Sequence, residues 1–190
     1  MLFRSRNQFA AELKRDLNDP DAMAAKAFRE AAFPNHPYGR PVRGALDSID
    51  SLAREDLIAL RERLFATKDL KIAVVGAIDA QTLSAKLDDV FGAFARENDL
   101  APVPAITLSN VGLRKVIDLD VPQTTIRFGR PGVTKRDPDY FAVVVANHIL
   151  GGGTFTARLF REVREKRGMA YSVYSQLNEY DHCPILIGAA

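Results

Sequence analysis

Cysteine is nearly missing from this sequence. Cys183 is alone among 190 residues, which excludes an intrachain disulfide and any multi-cysteine metal cluster. It leaves the compartment open, because disulfide-free proteins also live in oxidising spaces. Long apolar runs are missing too. The stretch Phe141 to Leu150 is interrupted by Asn147 and His148 and is about half of the roughly 20 residues that a membrane helix needs. There is no excess of one charge: 26 Lys+Arg face 24 Asp+Glu, a net +2. A general nucleic-acid binder needs clustered surplus cation, so that class is disfavoured. Histidine is scarce. His36, His148 and His182 lie far apart in the chain, whereas a zincin helix needs two histidines four apart with a glutamate between them. What is present is globular: 47% hydrophobic and 26% charged residues.

Several elements follow from periodicity and caps. Asp19 with Pro20 opens a helix running to about Phe33. The segment Pro34 to Gly44, with its prolines and glycines, is a loop. Ser51 is expected to cap a helix over 53–66, and Asp79 one whose Leu83, Leu87, Val90, Phe91 and Phe94 form an apolar stripe. Strands are expected at Leu70–Gly76, Arg114–Leu119, Thr124–Arg130, Ala170–Leu177 and Pro184–Ala189. Ala95 to Asn110 contains Pro102 and Pro104 and lacks periodicity, as an interdomain linker does. Helices are expected through Phe141–Ile149 and over 156–167, separated by Gly151-Gly-Gly153. The chain starts inside a helical pattern and stops inside a strand-like one, so a piece of a longer polypeptide is expected.

Taken singly, the chemistry-bearing residues have modest readings. His36 precedes a proline in a loop, which favours a turn role, and His148 sits on the apolar helix as a core or capping residue. Neighbours on a strand point to opposite faces, so His182 and Cys183 make a poor nucleophile pair. The triple glycine has neither the preceding strand nor the following Lys-Ser/Thr of a phosphate loop, and reads as a hinge. The basic stretch Arg158–Arg167, on charge alone, is a solvated helix face with ion pairs such as Arg161–Glu165.

The whole block Gly151-Gly-Gly-Thr-Phe-Thr-Ala-Arg-Leu-Phe-Arg-Glu-Val-Arg-Glu-Lys-Arg-Gly-Met-Ala-Tyr-Ser-Val-Tyr174 closely resembles a signature of the insulinase/pitrilysin zinc peptidases. The nearest subgroup is that of the bacterial relatives of mitochondrial processing peptidase. His36-Pro-Tyr-Gly39 with Gly44, Lys71–Gly76 and Asp88-Asp-Val-Phe-Gly92 fit in order. The resemblance implies an α+β metallopeptidase-like fold (processing-peptidase/LuxS-like), a two-layer antiparallel sheet with helices. This chain would then hold parts of two homologous domains: 1–103 the end of a first, 104–111 the linker, and 112–190 the start of a second, metal-free domain.

In that family one domain carries the zinc motif His-x-x-Glu-His, and the next supplies an arginine and a tyrosine to the substrate. The matching residues are Arg164 and Tyr171, seven apart. Arg158 and the glycines Gly151, Gly152 and Gly153 are further substrate-binding candidates, and strand backbone near Tyr171–Gln176 suits peptide addition. The zinc motif is not in these residues, so no metal ligand and no cofactor is assigned to this chain. Zinc is expected in a homologous partner domain or subunit, or in an upstream part of the same protein. Glu12 falls where a distant zinc-ligand glutamate is expected, but the residues around it favour the non-zinc partner, with Glu12 a structural helix carboxylate. The implied function is binding and orienting peptide for a partner's zinc site. The alternative is a structural scaffold of the same fold. The compartment stays unassigned beyond a lean toward the bacterial periplasm.

Overall fold

The computed structural model describes residues 2–190. Helices come first: α1 (Leu2–Asp16), α2 (Pro20–Ala32), α3 (Leu46–Ser51), α4 (Arg54–Leu64) and α5 (Ala80–Phe91). The second part carries β1 (Arg127–Pro131), α6 (Tyr140–Asn147), β2 (Tyr174–Asn178) and β3 (Ile185–Ala189). The class is α+β, as expected. Asp19 caps α2, its Oδ1 accepting from Asp21 N at 2.8 Å and Ala22 N at 3.0 Å, with Pro20 at the first position. Asp79 caps α5 through Thr82 N at 2.9 Å. Ser51 ends α3 instead of opening α4. The α4 N-terminus is held by Asp56, which accepts from Ala53 N at 2.8 Å.

The strands form an antiparallel sheet in the order β1-β3-β2, so β3 has a neighbour on each side. Arg127 and Tyr174 both face Ala189, and Gly129 and Gln176 both face Ile187. Alternation along the strands therefore gives two distinct faces. The face bearing Arg127, Gly129, Ile185 and Ile187 takes α2. Phe28 lies so close to Gly129 that a Cβ there would meet its ring at 2.5 Å. Phe33, 1% exposed, packs with Ala32, Cys183 and Ile185 at the centre of this layer. Burying a side chain of that size stabilises by about 1.5–3 kcal/mol. The opposite face, with Ser175 and Gly188, takes the segment after α6.

Residues 104–111 are fastened along this core. Ile106 and Leu108 pack on it, Ser109 N donates to Ala32 O at 3.0 Å, and Asn110 Nδ2 donates to Ala31 O at 2.8 Å. His36, 5% exposed, has the turn role expected of it. Its Nδ1 accepts from Tyr38 N at 3.2 Å, so its Nε2 donates to Pro104 O at 2.9 Å.

Two expected strands are not in a ladder. Residues 70–76 and 114–119 take up no regular structure, and no strand pairs with them among the described residues. Val75 and Val116 are exposed. A branched apolar run expresses a preference for extended backbone, but a strand exists only where a neighbour supplies the other half of each hydrogen bond. The expected strand at 124–130 is displaced to Arg127–Pro131, and the one at 170–177 begins only at Tyr174.

A polar clamp ties the start of α6 to the end of β2. Lys135 Nζ lies 2.6 Å from Glu179 Oε2, and the Tyr140 hydroxyl donates to Glu179 Oε1. The Lys135 bond, then the Tyr140 bond, hold the Glu179 carboxyl below its ordinary value of 4.5. The same contact with Glu179 raises Lys135 and Tyr140. A carboxyl depressed in the folded state contributes stability above its unfolded value and loses it as pH falls through the folded one. The stability difference between the native protein and Glu179→Gln is therefore expected to be largest near neutrality. It shrinks below about pH 4.5, and urea midpoints measured across the acid range check it.

Candidate functional site

The site is built where α6 loosens. After Asn147 the chain winds as a π-helical turn, His148–Gly152. Gly151 sits in this turn against β2. A Cβ there would collide with the Ser175 side chain and meet Ser175 N at 2.5 Å and Leu159 Cδ1 at 2.9 Å. Only glycine permits that approach. The junction is fixed by a polar pair: Ser175 Oγ donates to Asn147 Oδ1 at 2.7 Å, and Asn147 Nδ2 donates to Ser175 O at 3.3 Å. Ser175 is 1% exposed, so both its polar groups need these partners. Asn147 stands out in the sequence as a polar break in an apolar run, but nothing there says what it holds.

A 3-10 turn, Thr154–Thr156, leads to a short helix that is itself π-wound over Phe160–Glu165. Such wide turns occur often at functional sites. The extra residue per turn brings Lys166, not Glu165, above Arg161, with Lys166 N donating to Arg161 O at 3.0 Å. The expected Arg161–Glu165 pair is accordingly not made. Glu162 instead holds Lys166 at 2.6 Å and Arg167 at 3.2 Å. These contacts, Lys166 first, lower the Glu162 carboxyl. The helix ends at Gly168, whose φ of 62° places it in the left-handed region. Gly168 N donates to Arg164 O, the bond of a simple left-handed glycine stop, and Met169 N donates to Val163 O, one residue wider than the bond that usually accompanies such a stop.

This bend delivers Tyr171 to Arg164. The guanidinium carbon of Arg164 lies 4.4 Å from the Tyr171 ring centroid and 4.7 Å from that of Phe160. Arg164 is thus stacked between two rings, an arrangement worth about 0.5–2 kcal/mol per contact depending on desolvation. Its N–H groups make no hydrogen bond or ion pair among the described residues, since Glu162 is committed to Lys166 and Arg167. Tyr171 is 83% exposed, in the approach to β2.

The pair opens onto a cleft of about 710 Å³. Phe155 and Val144 give it apolar walls, and Arg164 is the only Lys, Arg, Asp or Glu that lines it. Gly151 and Gly152 line it as well, with Ser172 to Gln176 along one side. Arg158 is exposed and outside this lining, and Gly153 is also outside it. His148 lines the cleft as an exposed residue, not as a core histidine. Phe160, the second face of the sandwich, was not expected from the sequence. It reads there as one residue of an apolar helix side, although its spacing of four from Arg164 already puts the two on one helix face.

Among the described residues no three His, Cys, Asp or Glu side chains converge to hold a metal ion. No helix among them is long and apolar enough to cross a membrane. What the geometry defines is an α+β layer with a cation-bearing cleft and, among the described residues, no cluster fit to ligate zinc.

Residues 51–188 match the model of the Peptidase M16 inactive domain, and the chain belongs to that family. The insulinase/pitrilysin resemblance read from the sequence is thereby established. An uncharacterized zinc protease of Mycobacterium leprae is 33% identical over 187 residues, covering 88% of this chain and 40% of the relative. A probable inactive metalloprotease of Bacillus subtilis is 29% identical over 189 residues, covering 92% of this chain and 43% of the relative. The crystal structure of a peptidase M16 inactive domain from Pseudomonas fluorescens superposes with a TM-score of 0.80 at 28% identity, over 99% of this chain and 45% of that one. The chain thus spans less than half the length of these relatives.

Proposed function

We propose that this chain is a substrate-holding, metal-free part of a zinc endopeptidase, working beside a homologous zinc-bearing domain or subunit. In this reading residues 1–103 close one peptidase-like domain, 104–111 link, and 112–190 open the next. The observation that carries it is the stacked Arg164: a half-buried guanidinium at a cleft mouth, with donors committed to no carboxylate.

Peptide hydrolysis passes through a tetrahedral carbon with a negative oxygen. A zinc held by the partner would supply the Lewis acid for the carbonyl. The work of this chain is orientation. The rings fix the plane of the Arg164 guanidinium, so its N–H edge is presented to a peptide carbonyl without further loss of rotamer freedom. The Tyr171 hydroxyl adds a second donor. Gly151 and Gly152 keep the cleft floor low enough for a backbone to approach. Arg158, from outside the lining, would meet only a more distant part of the peptide. A scaffold of the same fold gains nothing from an uncommitted guanidinium in a cleft, which favours the peptidase reading.

Steady-state kinetics of the complete zinc-loaded assembly test it. Tyr171→Ala is expected to raise KM for a peptide on the order of 10-fold, about 1.4 kcal/mol. Tyr171→Phe, which keeps the ring on Arg164, should show the smaller loss due to the hydroxyl alone. Unchanged KM in Tyr171→Ala would overturn the proposal.

A further inference from the structure

A second cavity, away from the cleft, contains positive charge that the described residues do not neutralise. It encloses about 150 Å³ between α2 and the α2-facing side of the sheet. Phe28, Phe33 and Ile185 wall it, and Arg29 from α2, Arg127 from β1 and Asn178 from β2 also line it. The Nε atoms of both arginines are buried and have no hydrogen-bond partner. Arg127 uses its other two nitrogens, at 2.6 Å from Asp21 Oδ2 and 3.0 Å from the Tyr174 hydroxyl. Arg29 has no ion pair among the described residues. Its neighbour Glu30 is taken by Lys26 at 2.5 Å. Among the described residues one carboxylate, held by Arg127 alone, thus stands against two guanidinium groups.

Buried donors in native proteins are almost always satisfied, and an orphan points to a bound water or ion. Water would satisfy the N–H groups but leave the half-buried Arg29 without a counter-charge. An anion meets both needs. The aromatic and aliphatic walls favour one with hydrocarbon attached over a bare inorganic oxyanion.

We propose that the Arg29–Arg127 cavity is a carboxylate-binding site, taking a short-chain carboxylate group between the two Nε–H donors with its hydrocarbon against Phe28 and Phe33. A cavity of roughly 150 Å³ holds benzene, so propionate fits. Arginine is suited to the task because its planar donors match a carboxylate. The group comes either from a free small acid or from an aspartate or glutamate side chain elsewhere in the assembly.

The experiment follows the arginine Nε–H signals of the full polypeptide by ¹⁵N NMR, with sodium propionate added against sodium chloride at equal ionic strength. A saturable downfield shift of the Arg29 and Arg127 signals with propionate alone identifies a free acid. Arg29→Gln is then expected to weaken that binding by about 10-fold or more. Signals already downfield and unmoved by propionate, with Arg127 reverting in Arg29→Gln, identify a carboxylate supplied by protein. Signals at ordinary positions that propionate does not move would overturn the site. None of these readouts depends on peptidase activity.

Discussion

Arg164→Ala is expected to lower peptide turnover by the complete assembly by ~10- to 1000-fold while zinc content stays the same. The reasoning starts from the stack. Arg164 lies 4.4 Å from the Tyr171 ring and 4.7 Å from the Phe160 ring, and no described carboxylate neutralises it. Alanine removes the charge and leaves the rings without the group that orients them. The effect should appear mainly in kcat, because a donor aimed at developing negative oxygen gains most in the transition state. Arg164→Lys is the informative companion. It keeps a charge but lacks the planar face that stacks and the fork of donors, so it should recover only part of the loss. Turnover equal to wild type in Arg164→Ala, with the metal-bearing partner present, would remove the proposed role. A loss accompanied by loss of zinc would instead mark damage to assembly.

Gly151→Ala should destabilise the protein by about 1–3 kcal/mol, the usual cost of overpacking. The added methyl would meet Ser175 N at 2.5 Å, and that nitrogen belongs to a strand already paired with β3. Backbone inside a sheet has little room to retreat. In a chain of this size each kcal/mol lowers the melting midpoint by about 2–4 °C. Gly152→Ala is the control: its methyl would meet Asn147 Nδ2 at 3.0 Å and Asn147 O at 3.4 Å, a tighter than usual but milder contact. Thermal melts of the two variants should rank Gly151→Ala as the less stable. Equal midpoints would show that the π turn yields easily, and that the tight seat of Gly151 on β2 does not set the cleft floor.

Much of the local structure is legible in the sequence because it is caused locally. Asp19-Pro20 and Asp79 cap helices through atoms two or three residues away. The turn role of His36 is legible in part: its bond to Tyr38 is local, whereas its bond to Pro104 spans 68 residues. Arg164 and Tyr171 are legible through the resemblance of the block around them, and the structure stacks them. Features that depend on distant chain are not legible. Residues 70–76 have the composition of a strand but no ladder among the described residues. The Arg161–Glu165 pair assumes regular helix spacing, which the wide turn at Phe160–Glu165 abolishes. The cavity shared by Arg29 and Arg127 joins residues from opposite parts of the chain, and no local pattern marks it.

The wide turn has an angular consequence. A regular α-helix rotates ~100° per residue, and a turn of larger circumference rotates less. Every side chain beyond Phe160 is therefore phased back relative to the half-turn before it. At regular pitch Arg164, five positions after Leu159, would lie well round the helix from it; the wide turn brings it back to nearly the side on which Leu159 meets Gly151, where it lines the opening. The extra residue is absorbed as girth, so a one-residue deletion that restored regular winding would leave the cation near its present bearing.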